Sequence, residues 1–176
     1  MKMKLNVETL CKKIQTEGEW LTDSEIDQVM TLLARQYPAI NGFQPCCIFE
    51  PEGCQKIGKT EGKFVQIVNV GNNHWITLNN AESNNHNEVF VYDSLWNHFP
   101  SSTRSKNERQ VACMLDTKES SFKLHWVDVQ HQGNSTDCGI FAIAMATALC
   151  EGKSPKNYTG LMYNVKETVS IAANMP

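Results

Sequence analysis

The sequence has no long hydrophobic run. Apolar residues make up 41% of its 176 positions and come in short bursts. None approaches the roughly 20 residues that a membrane-spanning helix needs. The opening stretch Met1-Lys2-Met3-Lys4-Leu5 is basic but lacks the apolar segment of a secretory signal. These absences predict a protein that works inside the cell, in the cytoplasm or nucleus, away from membranes. Basic charge is also missing as a pattern. Lysines and arginines are scattered and the net charge is −3, so nucleic acid is not an expected partner. There is no CxxC pair. Seven cysteines at irregular spacing are an odd number, which argues against a secreted disulfide framework. Cys46, Cys47 and Cys54 cluster without a nearby histidine, so neither a metal nor another cofactor is expected. Repeats, low-complexity tracts and linkers are absent too. The length suits one domain with its own core, spanning residues 1–176.

What is present reads as helices, then strands, then one apolar helix. Residues 6–15 suit a short helix. Thr22 followed three residues later by Glu25 has the form of a capping box. Ile26, Val29, Met30 and Leu33 then recur at helical spacing, until Pro38 and Gly42 end the helix. Residues 43–63 look irregular. Three strands are expected over 63–70, 74–79 and 88–93, the first two joined at Gly71-Asn72-Asn73 and the last two by the polar loop 80–87. A helix over 101–115 has Ser101 or Ser102 as its cap. A further strand falls within 122–130. Residues 137–150 form a helix apolar nearly all round, hence central, with Gly152 placed to end it. A last helix is expected over 160–173. The order predicts an α+β domain, with the central helix packed on a mostly antiparallel sheet.

The chemistry concentrates at Gln132-Gly133-Asn134-Ser135-Thr136-Asp137-Cys138-Gly139. Here a polar loop becomes the central helix at a cysteine. First-turn N–H groups and the helix dipole favour a thiolate at such a place. A nucleophilic cysteine needs a base, and the base needs an orienting group. Five histidines compete: His74, His86, His98, His125 and His131. A symmetric hairpin centred on Ser83/Asn84 sets His74 opposite Asp93, at about 5 Å between Cβ atoms. His125 lacks an acid in an antiparallel neighbour, and His131 is expected to point away from Cys138. The Cys138 N–H and the Gln132 side-chain amide are candidate donors to an oxyanion.

His74-Trp75, then Tyr92-Asp93-Ser94, then Gln132 followed after five residues by Cys138-Gly139, resembles the ordered signature of the ubiquitin-like-protein proteases. These are the SUMO/sentrin-specific proteases, related to the adenovirus endopeptidase. Glu19-Trp20-Leu21-Thr22-Asp23 looks like that family's Trp-Leu-Asn-Asp segment, so the resemblance runs over about residues 19–150. It implies a papain-like cysteine protease fold with Cys138 as nucleophile, His74 as general base and acid, Asp93 as orienter and Gln132 as oxyanion donor. It also implies that Trp20 and Trp75 close a narrow tunnel over a Gly-Gly tail, since only glycine passes between two indoles. Asp23 would contact the body of the modifier. Thr22 stands where the SUMO proteases usually carry Asn, and Gly133 where Pro is common.

The activity this implies is that of a cysteine peptidase or isopeptidase. It would act as a monomer and without cofactor, cleaving after the Gly-Gly of a ubiquitin-like modifier in precursors or conjugates. Two other readings use the same residues. One is acyl transfer, which related bacterial effectors perform with a Cys/His/acid set; it requires a site for an acyl carrier. The other is a catalytically silent module that binds the modifier.

Overall fold

A computed structural model describes residues 7–46, 56–57, 62–71, 73–80, 87–115 and 121–157. The helix expected over 160–173, together with Cys47, Cys54 and His86, lies outside them. The protein is a mixed α/β fold. Its elements run α1 (Val7–Gln15), α2 (Asp23–Gln36), β1 (Asn41–Gly42), β2 (Phe64–Val70), β3 (His74–Asn79), β4 (Glu88–Tyr92), α3 (Ser101–Met114), β5 (Lys123–Val127) and α4 (Cys138–Cys150). Short 3-10 turns occur at Trp96–His98 and Pro155–Asn157.

Local chemistry sets the element ends. At the start of α2 the Thr22 N–H donates to the Glu25 carboxylate at 2.8 Å, and its hydroxyl does so at 2.6 Å. Tyr37 caps the other end, one residue before Pro38, which disfavours helix in the residue ahead of it. The start of α3 differs from expectation: Pro100 holds the cap position, and Ser101 is already helical. Proline's fixed φ suits a helix entrance, where no backbone donor is needed. At the end of α4 the Gly152 N–H donates to Leu149 O at 3.1 Å and the Lys153 N–H to Ala148 O at 2.8 Å. Gly152 has φ +73°, so the left-handed turn that satisfies these carbonyls falls on glycine.

The five strands lie in the order β1-β2-β3-β4-β5. The two central pairings are antiparallel and the two outer ones parallel. β4 and β5 are joined through α3, the helical crossover that parallel neighbours need. The sheet is covered on both sides. On one side Val65, Ile67, Trp75 and Tyr92 pack with α1, α2 and α4. On the other, Val68, Val70, Ile76, Leu78, Val89 and Val91 pack with Val111 and Met114 of α3. Every residue of α4 is buried, as its uniform apolarity predicts. The Thr77 hydroxyl donates to Ala142 O at 2.8 Å, tying α4 to the sheet's centre.

The hairpin between β3 and β4 differs from the symmetric one expected. Thr77 pairs with Tyr92, Leu78 with Val91 and Asn79 with Phe90. Continued outward, this register sets Asp93 opposite Ile76 and not opposite His74. The slip is two residues. An even slip leaves every side chain on its face, so His74 and Asp93 still share one.

Candidate active site

The site lies where β3 begins and β4 ends, and the first turn of α4 reaches it from the loop 131–137. Asn134 shapes that loop. Its side-chain oxygen accepts the N–H groups of Thr136 and Asp137, both at 3.0 Å, and its amide donates to an Asp137 carboxylate oxygen at 2.8 Å. The first α4 backbone bond runs from Phe141 N–H to Asp137 O at 2.9 Å. The N–H groups of Cys138 and Gly139 precede it and have no acceptor within the helix. They are donors available to an anion at the cysteine.

His74, Asp93, Gln132 and Cys138 are all buried. His74 Nε2 lies 2.7 Å from Asp93 Oδ1, which leaves Nδ1 as the second ring nitrogen. Cys138 is the second group that acts on the His74 ring. Burial alone would lower the imidazole's pKa. The hydrogen bonds and charges of Asp93 and Cys138 outweigh it and raise His74 from 6.5 to about 9. Asp93 Oδ1 accepts the Leu95 N–H as well, at 2.8 Å, so the carboxylate is fixed before it meets the ring. Phe99 closes over His74 edge-on, with ring centroids 5.1 Å apart.

The Gln132 side chain is held at both ends. Its oxygen accepts the Ser94 hydroxyl at 2.5 Å, and its Nε2 donates to Asn134 O at 2.8 Å. The Gln132 backbone N–H donates to Ser94 O at 3.2 Å.

The other histidines in view are engaged elsewhere. His131 sets Nδ1 3.3 Å from Ser94 O and Nε2 3.1 Å from the Asn97 amide. His98 meets it edge-on. His125 has Glu88 Oε1 3.7 Å from its Nε2, an acid on a parallel neighbour and beyond hydrogen-bond reach. The parallel pairing of β5 on β4 sets His125 beside Phe90, where the rings stack at 4.9 Å.

Beside this group lies a cleft of about 430 Å3, lined by Trp20–Asp23, Asn69, Asn73 and Trp75. Trp75 follows His74 directly and connects the two regions; Cys138 is not on the lining. Trp75 is buried, and its indole N–H donates to Leu21 O at 2.9 Å. Trp20, at 42% exposure, stands open to solvent. A second contact holds the same segment: a Cβ on Gly139 would sit 3.0 Å from Leu21 Cβ. Glycine after the cysteine is thus explained by close approach of helix and segment. Asp23 opens α2 and lines the cleft.

Three residues at the site were not singled out from sequence. Ser94 gives one signal, a small hydroxyl directly after the acid. Asn134 gives another, an Asn three residues before the helix-capping Asp137. Phe99 gives none.

A family model for the YopJ Serine/Threonine acetyltransferases matches residues 26–159. No curated protein sequence matches the chain. Its fold is similar to that of the SUMO protease Ulp1 with its catalytic cysteine oxidised to a sulfinic acid. That match has a TM-score of 0.60 at 14% identity and covers 97% of this chain and 87% of the other. It is similar also to the C-terminal Ulp1 protease domain in complex with Smt3, the yeast ortholog of SUMO, with a TM-score of 0.61 at 16% identity over 94% and 82% of the chains. The Ulp1-like SUMO protease catalytic domain of Chaetomium thermophilum matches with a TM-score of 0.58 at 18% identity, over 92% and 74%.

Proposed function

The chain belongs to the YopJ serine/threonine acetyltransferase family and has the Ulp1 protease fold, and from that premise we propose that it is a cysteine peptidase acting on the C-terminal tail of a ubiquitin-like modifier. Cys138 attacks the carbonyl carbon of the terminal glycine. His74 accepts the thiol proton and returns it to the leaving amine. Asp93 keeps the ring's Nε2 occupied so that Nδ1 faces the sulfur. The Cys138 N–H and the second side-chain N–H of Gln132 hold the oxyanion, where a single donor is typically worth ~3 kcal/mol. Water then releases the acyl group from the thioester.

The observation that carries this reading is the cleft beside His74. It is bounded by one buried and one exposed indole, and its lining includes the uncharged polar side chains of Thr22, Asn69 and Asn73. An extended backbone fits such walls, and a tail without side chains meets the indoles with least hindrance. Among the described residues, Asp23 is the charged one on the lining.

Acyl transfer is the second reading, and the family match over residues 26–159 favours it. It uses the same thioester chemistry, with an acyl carrier as donor and a hydroxyl or amine as acceptor. A polyphosphate carrier calls for cationic side chains. A cleft whose charge, among the described residues, is the Asp23 carboxylate is poorly suited to one. Incubation with diglycine-ended modifier precursors and, separately, with acetyl-coenzyme A and a protein acceptor tests the choice. Cleavage after the glycines, abolished by Cys138→Ala, supports the peptidase. Acetylated acceptor without cleavage supports the transferase.

A further inference from the structure

We propose that Ser94 is a positioning residue that fixes the oxyanion-binding amide of Gln132, so that the acid and the oxyanion donor are set by two consecutive residues at the end of β4. The inference rests on the acyl-enzyme chemistry proposed above, whichever acyl group is transferred.

A side-chain amide has one acceptor end and one donor end, and rotation exchanges them. The Asn134 carbonyl, 2.8 Å from Gln132 Nε2, can only accept. It therefore holds the NH2 end on its side, and the oxygen falls toward Ser94. The Ser94 hydroxyl must then be the donor in the 2.5 Å contact. The oxygen and one N–H are thereby engaged, and the second N–H is the one offered to the substrate. Ser94 and Gln132 are both buried. Without the hydroxyl, the buried Gln132 oxygen loses this partner, and the amide turns to find another. The remaining N–H moves with it. Ser94 also accepts the Gln132 backbone N–H on its own carbonyl, at 3.2 Å. Asp93, one residue earlier, holds His74 at 2.7 Å. A single short segment thus registers base and oxyanion donor to one another, the kind of support a preorganised site requires.

Two probes of Cys138 separate this role from general packing. Iodoacetamide alkylates the sulfur without forming an oxyanion, so its rate reads the sulfur and His74. Acylation by p-nitrophenyl acetate passes through a tetrahedral oxyanion: the S–C bond forms, the C–O bond breaks and p-nitrophenolate leaves. Ser94→Ala is expected to slow the p-nitrophenolate burst about tenfold while alkylation stays within about twofold. In a Gln132→Ala background, Ser94→Ala is expected to add no further loss; with Gln132 present, Ser94→Thr, which keeps the hydroxyl, is expected to keep the burst. An unchanged burst would overturn the proposal. Equal loss in both probes would also overturn it, assigning Ser94 to packing alone. Neither probe depends on a diglycine tail, so failure of modifier cleavage leaves this test standing. Wild-type protein that is alkylated but gives no burst contradicts both readings.

Discussion

Asp93 reaches His74 diagonally across the β3/β4 ladder, closing to 2.7 Å from a position that continues opposite Ile76. Diagonal neighbours in an antiparallel pair stand about 7–8 Å apart at the backbone. An imidazole and a carboxylate together span that gap. The carboxylate is also braced by the Leu95 N–H at 2.8 Å, so the chain's turn out of β4 sets its direction.

Replacing that carboxylate by an amide keeps the shape and removes the charge. Asp93→Asn is expected to bring the His74 pKa down from about 9, seen as a shift in its imidazole NMR titration. Activity is expected to fall by two to four orders of magnitude, as when an orienting acid is removed from a catalytic triad. An unshifted titration would show that Asp93 does not control the ring.

Stability should carry the same signature. His74 is raised from 6.5 to about 9 in the folded protein, so the native state binds its proton more tightly than the unfolded chain. The resulting stabilisation is full below about pH 6.5 and is lost as pH rises through about 9. It amounts at most to something on the order of 3 kcal/mol. Urea midpoints measured from pH 6 to pH 9.5 are expected to fall over that window in the wild type, and to fall less in His74→Gln. Parallel slopes in the two proteins would contradict the assignment.

Trp20 is exposed and lies on the cleft wall. Trp20→Ala is expected to change stability by no more than about 0.5 kcal/mol. The iodoacetamide rate at Cys138 should not change. KM for a tail substrate should rise at least fivefold. An unchanged KM would remove Trp20 from the binding wall.

Gly152 has nothing within 4 Å of where a Cβ would stand, but its φ is +73°. Gly152→Ala is therefore a pure backbone test, expected to cost about 1 kcal/mol. Denaturant unfolding reads it, and Cys138 reactivity should be untouched.

Much of the site was legible because its signals are local or even-numbered. The start of β3 at His74 follows from the Gly71 turn and the β-branched run before it, and the α2 cap from Thr22 and Glu25. His74 and Asp93 could be paired despite a wrong register, because a two-residue slip preserves faces. The direction of β5 was not legible in its own alternation. It was encoded in the helix between β4 and β5, since a helical crossover brings the chain back parallel. That direction is also what gives His125 its neighbour Glu88. β1, two residues long, offers no period to read. Ser94 was passed over because its role depends on a partner 38 residues away. No spacing rule relates a strand end to a loop before a helix.

If Cys138 receives the diglycine tail of a ubiquitin-like modifier, a modifier carrying a C-terminal electrophile should trap it. The protein is incubated with a panel of such modifiers and read by intact-protein mass spectrometry. A covalent adduct at Cys138 is expected with at least one modifier, lost in Cys138→Ala and slowed in Trp20→Ala. No adduct with any modifier, from protein whose Cys138 is still alkylated by iodoacetamide, would contradict it.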